Sequence, residues 1–227
     1  MIKVKNLTSK GEIYIYGRII DDTDASWLKM MEDGTLGYVW PTDIREQVES
    51  LKGLPIDVHI ASDGGDVAAG IAIYNMLAKH EAPVTVYIDS WAASIASVIA
   101  FAGNKIVMPE NTFLMIHNPQ GGAFGTSDYI RSVADWLDKI TGMIADTYAD
   151  GQEKLSKEEI RGLMDKETWF TAKEAGDIWN KIEVVASNNV EAVACYKSDF
   201  KTAPTALQKT SASIDNIIKI LNKAYEV

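Results

Sequence analysis

Apolar residues recur along this chain with two periods, and the switches between them mark its elements. Residues 12–16, Glu-Ile-Tyr-Ile-Tyr, alternate with period two and predict a strand. Asp33-Gly34 and Gly37 mark a loop. Pro41-Thr42-Asp43 starts a helix that Gly53 stops, with Ile44, Val48 and Leu51 on one face. Pro55 to Ile60 reads as a strand, and Asp66 caps a helix whose stripe is Val67, Ile71, Tyr74 and Leu77. Pro83 ends that unit. Val84 to Ile88 is the next strand, Ala92 to Ala102 the next helix, and Ile106 to Met108 and Phe113 to Ile116 are short buried strands. The order strand, helix, strand, helix, strand, strand implies parallel strands joined by helical crossovers, hence an α/β fold.

Beyond Pro119 the pattern is broken by Gly121-Gly122 and Gly125. A long helix then runs from Ser127 to about Asp150, with Ile130, Val133, Leu137, Ile140, Ile144 and Tyr148 on its apolar face. Such a helix, reached through a glycine-rich loop, either packs in the core or projects to meet a partner subunit. Ser156 to Glu159 is a capping box, Thr171 opens another turn, and Ile182 to Val185 predicts a last strand. From Ser187 the composition shifts to Ser, Asn, Thr, Lys and Ala. We divide the chain into a domain over 1–187 and a linker or arm over 188–227. The arm ends in an amphipathic helix carrying Ile214, Ile217, Ile218 and Leu221, either a docking element or a fraying end.

Composition narrows the classes. At 227 residues and 47% apolar content the chain can bury a sizeable core. No apolar run reaches the roughly 18 residues of a membrane span; the richest, Ser90 to Ala102, reads as a buried helix. The first residues lack a signal-peptide pattern, so a cytoplasmic location is expected. The net charge of −10 argues against nucleic-acid binding, which calls for basic clusters. The one cysteine, Cys195, forms no intrachain disulfide, and no Cys/His metal-ligand spacing is seen, so no metal is expected.

Candidate chemistry concentrates between Ile60 and Ser94. Gly64-Gly65 after a strand leaves backbone N–H groups able to face a ligand oxygen. Ser94, packed among alanines in Trp91-Ala92-Ala93-Ser94-Ile95-Ala96-Ser97, sits where a helix begins. Alone it is an ordinary small residue at a helix contact; Ser97, a turn deeper, is the core-packing candidate. Of three histidines, His59 lies mid-strand and His80 at a helix end. His117 ends a buried strand beside a glycine-rich loop, where α/β proteins place their sites. A serine nucleophile needs such a base, and the base needs a third group to hold its tautomer. Asp165 and Glu167, before Trp169-Phe170, are the candidate carboxylates; a solvated acidic turn is the ordinary alternative.

These residues resemble the ClpP family of serine peptidases. Ala61-Ser62-Asp63-Gly64-Gly65-Asp66-Val67-Ala68-Ala69-Gly70 is similar to the family's Asn-Ser-Pro-Gly-Gly-x-x-x-Ala-Gly. Ser90 to Ala96 is similar to Gly-x-Ala-Ala-Ser-x-Gly, and Met115-Ile116-His117-Asn118-Pro119 with Gly121-Gly122 to the histidine motif. The similarity spans roughly residues 12–187. It departs at Asp63 for proline, at Ser90 and Ala96 for glycines, in the tail, and at Glu167, where the family has an aspartate.

The resemblance implies a ClpP/crotonase-like ββα spiral with a projecting handle helix and a C-terminal extension. It implies a serine endopeptidase with Ser94 as nucleophile, His117 as base and Glu167, or else Asp165, as orienting acid. The N–H groups of Gly65 and Ile95 would form the oxyanion site, and no organic cofactor is implied. Gly121 and Gly122 would border a cleft for an extended peptide, and a homo-oligomeric ring would form through the 127–150 helix. Asp165-Lys166-Glu167-Thr168-Trp169-Phe170-Thr171-Ala172 and Tyr74-Asn75-Met76-Leu77 look more like the phage and prophage head-maturation branch, which cleaves capsid or scaffold precursor in the host cytoplasm. A housekeeping Clp proteolytic subunit, a crotonase-type acyl-CoA enzyme and an inactive shell component of the same fold are the alternatives. A Ser–Lys dyad fits less well, because no lysine sits in a matching motif.

Overall fold

The computed structural model describes residues 9–30 and 37–187. Asp33-Gly34, Cys195 and the whole 188–227 arm with its terminal helix lie outside the described residues. In chain order the elements are β1 (Gly11–Tyr16), β2 (Arg18–Ile19), α1 (Asp22–Leu28), β3 (Tyr38–Val39), α2 (Pro41–Ser50), β4 (Ile56–Ser62), α3 (Val67–Ala78) and β5 (Val84–Ala93). They continue with α4 (Ile95–Ala100), β6 (Lys105–Pro109), β7 (Phe113–Ile116), α5 (Ser127–Ala149), α6 (Lys157–Asp165), β8 (Thr168–Thr171), α7 (Ala172–Ile178) and β9 (Ile182–Val185).

A seven-stranded sheet organises them. Strands β1, β4, β5, β6 and β9 pair in that order, all parallel. The ten-residue β5 serves two partners on one side. Its first half pairs with β6 at residues 85–87, and its second half pairs with β7 at Trp91, Ala92 and Ala93. On its far side β7 pairs antiparallel with β8. This double duty corrects one expectation. Ala92 and Ala93 belong to the strand, and the helix begins only at Ile95, because β7 offers those residues a ladder partner.

Alternation along the strands separates two faces. Ile13 and Ile15 of β1, Ile56, Val58 and Ile60 of β4, and Val84, Val86 and Ile88 of β5 are buried in one core with residues of helices α2 to α7. The opposite face is half-buried and polar. There His59 stacks between Tyr14 and Tyr87, with ring centroids 4.9 and 5.1 Å away, and its Nδ1 lies 2.9 Å from Asp89 Oδ2. His80 is likewise a structural residue, bonding the Leu54 carbonyl at 2.8 Å. Asp66 caps α3 through the Ala69 N–H at 2.7 Å, and the capping box of Ser156 and Glu159 is formed at α6.

The long helix α5 changes character along its length. Thr141, Ile144, Ala145 and Tyr148 are buried, while Tyr129, Ile130 and Trp136 are exposed. Its carboxyl half is core, as one reading of its apolar stripe expects, and its amino half leaves apolar side chains exposed. Helix α1 and the short pair β2–β3 were not evident in the pattern. Ile19 of β2 and Val39 of β3 join the main core, while Ala25 of α1 packs with Ile20 and Trp40 in a small separate cluster.

Candidate active site

The register of the sheet builds the site. Ala93 of β5 lies beside Met115 of β7, so the next residues, Ser94 and Ile116, continue side by side; the Ser94 N–H donates to the Met115 carbonyl at 3.1 Å. His117 follows at the end of β7. Across the antiparallel pair, Ile116 faces Thr168, so one step further His117 faces Glu167. Three side chains from distant segments thus converge at neighbouring strand ends.

The distances follow. His117 Nε2 is 2.7 Å from Ser94 Oγ, and His117 Nδ1 is 4.0 Å from Glu167 Oε2. For Nε2 to accept the Ser94 hydroxyl proton, the ring must carry its own proton on Nδ1, the side facing Glu167. Only 10% and 11% of the His117 and Glu167 side chains are exposed, so their charges meet little screening. Burial pushes the His117 pKa below its ordinary value, and the Glu167 carboxylate partly opposes that shift. Asp165, the other candidate acid, is turned elsewhere and accepts from Asn118 Nδ2 at 2.7 Å.

Two members sit on unusual backbone. Ser94 has φ 56° and ψ −132°, a conformation disfavoured for any residue with a side chain. It caps α4 and stands on the turn from strand to helix, which lifts its hydroxyl out of the core. Glu167 has φ 51° and directly follows the C-cap of α6, Lys166, where glycine is usual; its N–H donates to the Met164 carbonyl at 3.0 Å. That left-handed step ends α6 and turns the chain into β8.

The glycine pair packs against the Ser94 turn. Ile19 bonds the Gly64 carbonyl at 2.8 Å and accepts from the Asp66 N–H at 2.9 Å. In a parallel bridge this turns the intervening Gly65 N–H away from Ile19. Neither it nor the Ile95 N–H, at the first turn of α4, meets a backbone acceptor among the described residues. Both positions of the pair need glycine. A Cβ on Gly64 would come within 2.7 Å of the Ser94 Cβ, and one on Gly65 within 1.9 Å of the Ile19 carbonyl oxygen. Gly121 and Gly122 lie in an exposed, unpaired stretch after Pro119, which itself lines the Ser94 crevice.

Sequence reasoning missed part of the surroundings. Ser97 Oγ donates to the Ser94 carbonyl at 2.6 Å and lies 2.7 Å from the Tyr148 hydroxyl, so the buried end of α5 backs the Ser94 turn. The buried carboxylate of Asp63, beside the glycine pair, was noted only as a departure from proline. Its Oδ1 has no hydrogen-bond partner among the described residues, and burial raises its pKa. Among the described residues no group of His, Cys, Asp and Glu could hold a metal ion, and no helix is long and apolar enough to cross a membrane.

Known proteins resemble this chain in sequence and fold. Residues 46–178 match the family model of the Clp protease. The chain is 38% identical over 125 residues to an ATP-dependent Clp protease proteolytic subunit of Ligilactobacillus salivarius, covering 54% of this chain and 62% of that protein. It is 34% identical over 149 residues to proteolytic subunit 2 of Treponema denticola, covering 62% of this chain and 71% of that protein. The match to the Ligilactobacillus protein therefore spans less than two thirds of its length. Among solved structures, a point mutant of ClpP1 from Listeria monocytogenes superposes with a TM-score of 0.61 at 26% identity, over 78% of this chain and 92% of that one. The α/β fold expected from the motifs is therefore the ClpP fold. With a family match over more than half its length and the same architecture beneath it, this chain belongs to the Clp protease family.

Proposed function

We propose that the protein is a serine endopeptidase. Ser94 attacks the peptide carbonyl while His117 takes its proton and returns it to the leaving amine. Glu167 holds the Nδ1 proton and stabilises the imidazolium. The Gly65 and Ile95 N–H groups receive the oxyanion; one such donor typically contributes about 2.7–4 kcal/mol to the transition state. The observation that carries this reading is the 2.7 Å contact between Ser94 Oγ and His117 Nε2, with Ser94 on a strained backbone. The exposed stretch holding Gly121 and Gly122 fits an extended peptide that adds as a strand. A fluorophosphonate should label the protein at Ser94, and Ser94→Ala should abolish both labelling and peptide hydrolysis. Labelling that survives the substitution refutes the assignment. Binding of acyl-CoA without labelling favours a crotonase-type enzyme, and assembly without either favours an inactive shell component.

The working form is a homo-oligomeric ring, held through the projecting half of α5 with its exposed Tyr129, Ile130 and Trp136. Domain 1–187 carries the activity, and 188–227 is an arm outside it, in a protein of the cytoplasm. Two roles fit such an endopeptidase. The strings from Asp165 to Ala172 and from Tyr74 to Leu77 favour head maturation on capsid or scaffold precursor; the relatives, ATP-dependent Clp protease proteolytic subunits, favour general proteolysis with an ATPase partner. Mixing the purified oligomer with either a capsid precursor or a Clp ATPase plus unfolded substrate separates them by which mixture is cleaved.

A further inference from the structure

The carbonyl of Ser94 and the N–H of Ile95 belong to one planar peptide unit and point in opposite directions. Whatever fixes that carbonyl therefore aims that N–H. The carbonyl is held in an unusual way. At α2, α3, α5 and α6 the cap carbonyl accepts from the N–H four residues on, of Ile44, Gly70, Ile130 and Ile160. At α4 the bond comes from three residues on, the Ser97 N–H at 3.0 Å, and the Ser97 hydroxyl adds a second at 2.6 Å.

Ser97 has one hydroxyl proton and gives it to Ser94, so Tyr148 is the donor in the 2.7 Å contact between their hydroxyls. A directed chain results, from the Tyr148 hydroxyl to Ser97 Oγ to the Ser94 carbonyl. Ser97 and Tyr148 are both fully buried, so water does not compete for these bonds. Tyr148 is itself fixed: its ring meets Phe101 edge-on at 5.2 Å, and its carbonyl accepts from Trp179 Nε1 at 2.7 Å. On the other side of the turn the Ser94 N–H donates to the Met115 carbonyl at 3.1 Å. The backbone at Ser94, with φ 56° and ψ −132°, is thus clamped from both ends. In a dry interior each bond of such a chain polarises the next. Protons drawn toward the carbonyl oxygen also make the N–H of the same amide a stronger donor.

We propose, resting on the endopeptidase reading, that Ser97 and Tyr148 are positioning residues whose hydroxyls orient and polarise the Ile95 N–H for the oxyanion. The hydroxyls act through the Ser94–Ile95 peptide plane and not on the substrate. Their effect is confined to the step in which the substrate's carbonyl oxygen gains charge, so it falls on kcat and leaves KM in place. Losing one buried hydrogen bond of this kind should lower kcat about tenfold. Losing only the Tyr148 hydroxyl, which strengthens that bond from behind, should lower it about threefold.

The test compares Ser97→Ala and Tyr148→Phe with the wild type as full-length oligomer. Two inhibitors share one peptide, a trifluoromethyl ketone and the matching alcohol. The ketone carbon bonds to Ser94 Oγ, the hydroxyl proton passes to His117 Nε2, and the carbonyl oxygen becomes an oxyanion; the alcohol can only bind. In Ser97→Ala the ketone should bind about tenfold more weakly, matching the fall in kcat. KM, the alcohol's affinity and the acid limb set by His117 should not move. A merely structural loosening of the site would shift those three as well, and that result overturns the proposal. So does an unchanged kcat and ketone affinity in folded Ser97→Ala. Tyr148→Phe should show the same pattern at about threefold. If Ser97→Ala fails to fold, Tyr148→Phe decides, and no change in its kcat and ketone affinity overturns the proposal. A wild type that forms no Ser94 adduct with the ketone overturns the endopeptidase reading and this proposal with it, whereas an adduct held equally well by all three proteins overturns this proposal alone.

Discussion

Glu167→Gln is the sharpest perturbation of the proposed triad, because it keeps the side chain's shape and removes only its charge. The Glu167 carboxylate lies 4.0 Å from His117 Nδ1, and both groups are nearly buried. With an effective dielectric of about 20, two unit charges at that separation interact by about 4 kcal/mol. Little of this acts in the ground state, where burial keeps His117 neutral at pH 7. It acts when His117 takes the Ser94 proton and becomes an imidazolium, so the loss falls on kcat rather than KM. At about 1.4 kcal/mol per tenfold, the expected fall in kcat is about a thousandfold. The acid limb of the pH profile should also move to lower pH, since the carboxylate is what holds the His117 pKa up against burial. Steady-state hydrolysis of a small peptide from pH 4 to 9 measures both. A Glu167→Gln enzyme with unchanged kcat and an unmoved acid limb would refute the reasoning and hand the role to another group. The backbone supplies an independent check. Glu167 sits at φ 51°, which costs a residue with a Cβ about 1 kcal/mol and glycine little. Glu167→Gly should therefore lose activity while its Tm stays level or rises by about 2–4 °C, a combination that damage to the fold cannot produce.

Three further outcomes are expected. In the wild type, kcat/KM should hold steady as pH drops through 6.5 and decline only below it, because burial depresses the His117 pKa; an acid limb at or above 6.5 contradicts this. Gly65→Ala places a Cβ 1.9 Å from the Ile19 carbonyl oxygen and should lower stability by about 3 kcal/mol with loss of Ser94 labelling, whereas Gly122→Ala, with nothing within 4 Å, should leave Tm unchanged; thermal melts of the pair decide it. Asp63 has its pKa raised by burial, so the folded state binds that proton more tightly than the unfolded one. The residue therefore does no harm below the unfolded value of 3.8, and its penalty grows as pH rises through the folded value. Asp63→Asn should raise Tm at pH 7, with the gain vanishing near pH 3.5; a gain independent of pH would rule that out.

The one-dimensional pattern reached the fold class and most of the elements, because burial on one side of a strand or helix imposes a period on the residues themselves. Pro41, Asp66 and Ser156 marked helix starts by chemistry that is local to a few bonds. Gly64-Gly65, Ser94 and His117 stood out because a close backbone approach, a strand-to-helix turn and a strand end each restrict residue type where they occur. The choice between Asp165 and Glu167 could not be made that way. Both lie in one acidic turn, and what separates them is the antiparallel register of β7 with β8, a four-residue strand too short to show alternation. Likewise Tyr148 reads as one more apolar position on a long helix. Only packing brings it against Ser97, behind the Ser94 turn, where it lines the crevice. Short-range rules act through neighbours along the chain and are written there; which carboxylate meets the imidazole, and how much room lies beside the serine, depend on contacts between segments about 50 residues apart, which exist only once the sheet has formed.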